Sequence, residues 1–195
     1  MPYDAMNAQA DEELLAAYAT GDAAAARALT QRLTPMVFGH ALRMLQGDRA
    51  EAEDVAQEAM LRLWRAAPEW RMGEAKVTTW LYRVTANLCI DRLRRRRSGP
   101  ALDQIEDPAD GAPSAVEGMQ SRERAAALQG ALDQLPERQR QAVILRHIEG
   151  LSNPEIAQIM DIGPRAVESL TARGKRALEA LLLGKRAELG YGDDG

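Results

Sequence analysis

The stretch from 151 to 178, LSNPEIAQIMDIGPRAVESLTARGKRAL, constrains this chain more than any other, because it is punctuated as two helices joined by a tight corner. Ser152 followed three residues later by Glu155 is a capping-box pattern, with Pro154 in the first turn. Ile156, Ile159 and Met160 recur at helical spacing, and Ala157 is small where a second helix must come close. Asp161 falls at the corner, where a left-handed backbone is expected and Asp is better tolerated than most residues. Gly163-Pro164 opens the second helix, proline being suited to a first helical position. Val167 and Leu170 then face back toward the first helix. Arg165, Glu168, Ser169, Thr171, Arg173, Lys175 and Arg176 are left outward, and such a row fits the major groove of DNA. The bland alternative is a two-helix corner in an ordinary bundle.

In the remainder of the 195 residues, Phe occurs once and β-branched residues are sparse, while Ala, Leu, Arg and Glu abound. That mixture predicts an all-α fold. No stretch approaches the ~18–20 uncharged apolar residues of a membrane span, and the amino terminus lacks a signal-peptide core, so membrane insertion is not expected. The single cysteine, Cys89, excludes an internal disulfide framework and fits a reducing cytoplasm. His40 and His147 have no partner at metal-ligand spacing, so no metal, cofactor, small-molecule substrate or catalytic constellation is expected.

The net charge of −4 is unevenly spread. Asp11-Glu12-Glu13 and the group Glu51, Glu53, Asp54, Glu58 make the first sixty residues acidic, whereas Arg92 to Arg97 and the last helices are basic. Alternating blocks of charge point to two kinds of partner, a polyanion and a protein surface. Helical periodicity predicts elements near 11–20, 23–33, 35–45, 49–66 and 77–97, forming a first bundle, and near 121–134, 136–149, 153–160 and 164–183, forming a second. Between them, residues 98–118 hold Gly99-Pro100, Pro108, Gly111 and Pro113 and five acids without a base, the composition of a flexible anionic linker. Residues 189–195 close the chain as a polar tail.

Two constellations in the first bundle stand out. In AEDVAQEAMLRLW, residues 52–64, Asp54, Gln57, Glu58 and Leu61 lie on adjacent turns of one helix face. Such a face either keeps a helix soluble or docks a basic partner. In WLYRVTANLCIDRLRRRR, residues 80–97, Arg83, Asn87, Arg94 and the arginines after it form a polar stripe. Arginines there give affinity for phosphates, and an amide can pair with a base edge. The loop before it holds Trp70, Arg71, Met72, Gly73 and Lys76, a mixture that can hold an unpaired base by stacking, although Trp70 could equally be core.

In order, spacing and identity, AEDVAQEAMLRLW at 52–64, TTWLYRVTANLCIDRLRRRR at 78–97, LPERQRQAVILRHIEGLSNPEIAQIM at 135–160 and AVESLTARGKRAL at 166–178 resemble the extracytoplasmic-function (ECF) sigma factors of bacterial RNA polymerase. The resemblance covers about residues 11–185, with no room for a middle sigma domain. It implies that residues 1–97 are sigma region two, 98–118 a linker and 119–188 region four, and that the protein is cytoplasmic. It further implies that Asp54, Gln57, Glu58 and Leu61 contact the β′ clamp helices of core RNA polymerase. Trp70, Arg71, Lys76, Arg83, Asn87 and Arg94 would melt and read the minus-ten element. Arg165, Glu168, Ser169, Thr171, Arg173 and Arg176 would read the minus-thirty-five element of promoter DNA. The β flap and an anti-sigma factor are further implied partners. The recognition helix departs from the commoner pattern by opening Gly163-Pro164-Arg165 and by carrying Leu170 at an often basic position. Rival readings are a helix-turn-helix regulator that is not a polymerase subunit, and an antagonist that mimics a sigma factor.

Overall fold

The computed structural model describes residues 2–98 and 117–188. Among these the secondary structure is helical: α1 (Pro2–Ala19), α2 (Ala23–Met44), α3 (Arg49–Ala66), a 3-10 turn (Ala67–Glu69), α4 (Val77–Ser98), α5 (Glu117–Asp133), α6 (Glu137–Val143), a π turn (Ile144–Ile148), α7 (Asn153–Met160) and α8 (Pro164–Glu188). The expected linker lies outside the described residues, apart from Ser98 and the start of α5. No helix among the described residues is long and apolar enough to cross a membrane.

Helices α1 to α4 make the first bundle, with α2 packed on α1, α3 and α4. Asp22 opens α2 by accepting the Ala24 and Ala25 amides, and Asp48 opens α3 by accepting that of Glu51. Each satisfies donors that a helix start leaves unpaired. The sequence predicts two helices at 23–33 and 35–45; the structure has one, α2, running through Pro35. Pro35 is exposed, so the carbonyl it leaves unbonded can face water, and Leu29, Leu33, Val37, Ala41 and Met44 form one buried stripe across it. Burying that stripe outweighs the roughly 3 kcal/mol an interior proline costs.

The second bundle is α5 to α8. As expected, the Glu155 carboxylate caps α7 through the amide and hydroxyl of Ser152, at 2.9 and 2.6 Å. Asp161 is left-handed, with φ 53° and ψ 54°. Ile156, Ile159, Met160 and Val167 are buried and Leu170 packs beside them. The helix predicted over 136–149 instead ends at Val143 and continues as the π turn. Gly174 of α8 lies against α6, where a Cβ would stand 2.6 Å from Val143 Cγ2 and 3.1 Å from the Gln139 carbonyl.

The two bundles are packed against each other. Leu132, Leu135, Val143 and Ile144 of the second bundle belong to the apolar cluster that fills the first, and Tyr82 of α4 is buried among Ala142, Leu145 and Ile156. Nothing in the sequence indicates this closure.

Candidate functional site

Three exposed faces carry the residues singled out from the sequence. On α3, Ala52, Val55, Ala56, Ala59, Met60 and Leu63 point into the core. The opposite side presents Asp54, Gln57, Leu61 and the partly exposed Glu58. Leu61 is 48% exposed, an apolar side chain at the margin of an acidic row. The Glu58 carboxylate accepts from Arg62 at 2.8 Å, and that hydrogen bond holds it below the ordinary carboxylate range. An exposed pair one turn apart adds little stability, so the row is free to meet a partner.

The second face joins the loop 70–76 to α4. Trp70 is half-buried, its ring edge-on to Trp80 with centroids 5.7 Å apart, and its indole N–H is enclosed without a hydrogen-bond partner. Trp70 thus packs against the core of the first bundle. Gly73 takes φ +84° and its amide donates to Glu12 of α1 at 3.2 Å, so the first helix tethers this loop. Arg71 pairs with Glu74 at 3.4 Å, and Met72 is 56% exposed. Lys76 is drawn away, its ammonium 2.8 Å from Glu155 of α7. Along α4, Arg83, Asn87 and Arg94 share one exposed stripe, opposite buried Leu81, Thr85, Leu88 and Cys89.

The arginine run at the end of α4 divides. Arg92 is bound to Glu51, Arg96 to Asp48 with Glu51 beside it, and Arg97 to Glu137 at 3.2 Å. Arg83, Arg94 and Arg95 have no ion pair among the described residues. Only part of the basic run expected to lean on phosphates is thus available; the remainder fastens α4 to α3 and α6.

The third face is the outer side of α8. Arg165, Glu168, Ser169, Arg173 and Arg176 are exposed, and the three arginines make no ion pair among the described residues. Arg173 and Arg176 donate instead to the carbonyls of Ser169 and Ala172, at 3.2 and 3.3 Å, which aligns them along the helix. Thr171 departs from this row: it is half-buried and its hydroxyl is enclosed. The positions one turn away from Val167, which the core takes, leave it facing the inner side.

A further cluster had no sequence signal. Glu149, just after the π turn, has a side chain 9% exposed; it accepts from Arg43 and from the Tyr82 hydroxyl, each at 2.8 Å, with His40 Nδ1 at 3.6 Å. Burial alone would raise its carboxyl, but His40 beside it and the hydrogen bonds from Arg43 and Tyr82 outweigh that and hold it at about 2. Glu155, partly buried, is likewise held at about 2 by Lys76 and Ser152. Residues 106 and 67 positions apart meet here, a distance no local pattern reports.

A helix-turn-helix with an unpaired cationic face, beside a bundle with an acidic face and an amide-bearing stripe, defines a protein that engages DNA and a protein partner. Residues 29–99 match the family described as Sigma-70 region 2, and residues 125–178 match Sigma-70, region 4. The chain is 35% identical over 177 residues to the ECF RNA polymerase sigma factor SigM of Mycobacterium tuberculosis (strain ATCC 25618 / H37Rv), covering 89% of this chain and 85% of that one. It is 32% identical over 182 residues to the RNA polymerase sigma-H factor of Pseudomonas aeruginosa, covering 88% and 93%. Among solved structures, CnrH in complex with the cytosolic domain of CnrY superposes with a TM-score of 0.67 at 25% identity, over 90% of this chain and 98% of that one. The sigma factor RpoE of Bartonella quintana, in complex with the anti-sigma factor NepR, shares the fold with a TM-score of 0.64 at 21% identity, over 80% and 95%. The chain belongs to the family of ECF RNA polymerase sigma factors. It is thus an RNA polymerase sigma factor, a transcription initiation factor whose two sigma domains bind core RNA polymerase and promoter DNA.

Proposed function

We propose that the three faces divide the work of initiation. In this reading residues 1–97 act as region two, 119–188 as region four, 98–118 as the linker and 189–195 as a tail. Asp54, Gln57, Glu58 and Leu61 dock on the β′ clamp helices, the acids meeting basic groups and Leu61 burying an apolar contact. Trp70, Arg71, Lys76, Arg83, Asn87 and Arg94 capture the minus-ten strand. Unpairing bases costs a few kcal/mol, offset by stacking and hydrogen bonds in protein pockets. Arg165, Glu168, Ser169, Arg173 and Arg176 address the minus-thirty-five duplex, while Thr171, expected among them, sits on the inner side of the same helix. The chain carries no catalytic step, works in the cytoplasm and is held in check by an anti-sigma factor; the similar RpoE of Bartonella quintana forms a complex with one.

The observation that carries this division is the charge pairing: arginines 83, 94, 165, 173 and 176 are exposed and unpaired among the described residues, whereas arginines 92, 96 and 97 are bound to carboxylates. The test compares two double variants in core-binding and promoter-dependent transcription assays. Asp54→Ala with Glu58→Ala weakens association with core polymerase by about tenfold, a loss of ~1.4 kcal/mol. Arg165→Ala with Arg173→Ala leaves core association intact and lowers promoter use by a similar or larger factor. Identical behaviour of the two pairs would refute the division.

A further inference from the structure

We propose that Glu12 of α1 is a positioning residue for promoter opening, holding the crown of the 70–76 loop in the shape that captures the minus-ten strand. The inference rests on the reading of that loop given above and deepens it, by assigning a role to a helix outside the three faces.

In sequence Asp11-Glu12-Glu13 is one acidic run, but the fold gives its members three different surroundings. Asp11 is 2% exposed and pairs with Arg32 of α2 at 2.5 Å. Leu15, one turn on, is wholly buried, and the Tyr18 ring lies 4.6 Å from that of Trp64 on α3. Residues three and four apart share a helix face, so these contacts fix the rotation of α1 about its axis. Glu12 is thereby set beside the loop, where its carboxylate accepts from the Gly73 amide at 3.2 Å, across 61 residues of sequence. Glu13 is exposed and makes no hydrogen bond or ion pair among the described residues.

The loop is anchored at both ends by other means. Trp70 packs on the core of the first bundle, edge-on to Trp80, and Lys76 is paired with Glu155. Between these anchors Arg71, Met72, Gly73 and Glu74 are exposed. Gly73 takes φ +84°, and a Cβ built on it meets nothing within 4 Å, so packing does not hold the crown. Among the described residues, the Glu12 carboxylate supplies the hydrogen bond that reaches this crown from another element. An exposed glycine turn left to itself samples many conformations, which must be given up when a strand binds. Fixing the turn beforehand keeps Arg71 and Met72 standing out where the strand meets them, and capture then costs less ordering.

This role has an unusual sign. A carboxylate beside a DNA-binding loop repels phosphates, so electrostatics alone makes its removal favourable. Positioning makes its removal harmful.

The test uses the full chain bound to core RNA polymerase, on a promoter fragment that the wild-type holoenzyme opens. A fluorescent base analogue in the minus-ten element reports melting, and varying the holoenzyme concentration separates affinity for the closed promoter from the rate of opening. Glu12→Ala removes the acceptor. Glu12→Gln removes the charge but keeps an acceptor oxygen. Glu13→Ala removes the same charge from the neighbouring position, and Arg71→Ala tests the reading of the loop by itself. Circular dichroism and core association follow folding and polymerase binding. Positioning predicts opening slower by about fivefold in Glu12→Ala, the worth of one hydrogen bond to a charged acceptor. It predicts most of that rate restored in Glu12→Gln, no slowing in Glu13→Ala, and unchanged affinity for the closed promoter in all three. Wild-type or faster opening in Glu12→Ala overturns the proposal, as does slowing that Glu13→Ala shares or that follows a loss of core association. If Arg71→Ala slows opening while Glu12→Ala does not, the positioning role alone fails. If Arg71→Ala leaves opening unchanged, the reading of the loop fails with it.

Discussion

Single residues set the tolerances of this fold. Gly174 and Gly184 lie on the same helix, yet a methyl group added at Gly174 meets Val143 at 2.6 Å and the Gln139 carbonyl at 3.1 Å, while one at Gly184 meets nothing within 4 Å. Gly174→Ala is expected to lose about 1–2 kcal/mol in urea unfolding, because overpacking exceeds the gain in helix propensity. Gly184→Ala is expected to gain about 0.5–1 kcal/mol. Equal effects would mean that α8 does not press on α6 through that glycine. Cys89 shows the same dominance of surroundings over residue type. Burial pushes its thiol up to about 12, with Arg92 and Arg140 offsetting only a part, so it is a packing residue and not a nucleophile at neutral pH. Thr171 was legible as a polar residue on a DNA-facing helix, but not as one whose hydroxyl turns inward.

Elements were legible where capping and periodicity agree. Asp161, Ser152, Glu155 and Pro154 give the corner between α7 and α8 by local chemistry alone, and the structure has them in those roles. The break predicted at Pro35 failed because local propensity was asked to decide what a buried stripe of five side chains decides. The π turn was equally invisible: Ile144 and Leu145 within it are buried in two different apolar clusters, each built from residues far along the chain. The basic run at 92–97 was read as one feature because sequence shows charge but not its partner. Glu51 and Asp48 lie more than forty residues upstream, and Glu137 forty downstream.

At the scale of the molecule, the closed arrangement is what sequence reasoning could least supply, since its contacts join residues far apart along the chain. It also makes the protein sensitive to acid. Glu149 and Glu155 have carboxyls lowered from 4.5 to about 2 in the closed form. A group lowered in this way stabilises the form that lowers it at every pH above its ordinary value, and that contribution is lost as pH falls through the lowered value. Loss of the Glu149 charge is therefore expected to loosen the packing of the two bundles as pH falls from about 4.5 toward about 2; of the Glu155 lowering only the share from Lys76 adds to this, because Ser152 lies on Glu155's own helix. A scattering series over that range should show the radius growing before helical circular dichroism is lost; simultaneous loss of both would show that the two bundles do not separate as units. The central claim concerns initiation, and the most direct measurement is transcription in vitro from a genomic fragment library, with sigma-free core RNA polymerase, with and without this protein. The account predicts transcripts with defined start sites that appear only when it is added, sharing a pair of upstream elements. No new transcripts, with core binding intact, would contradict it.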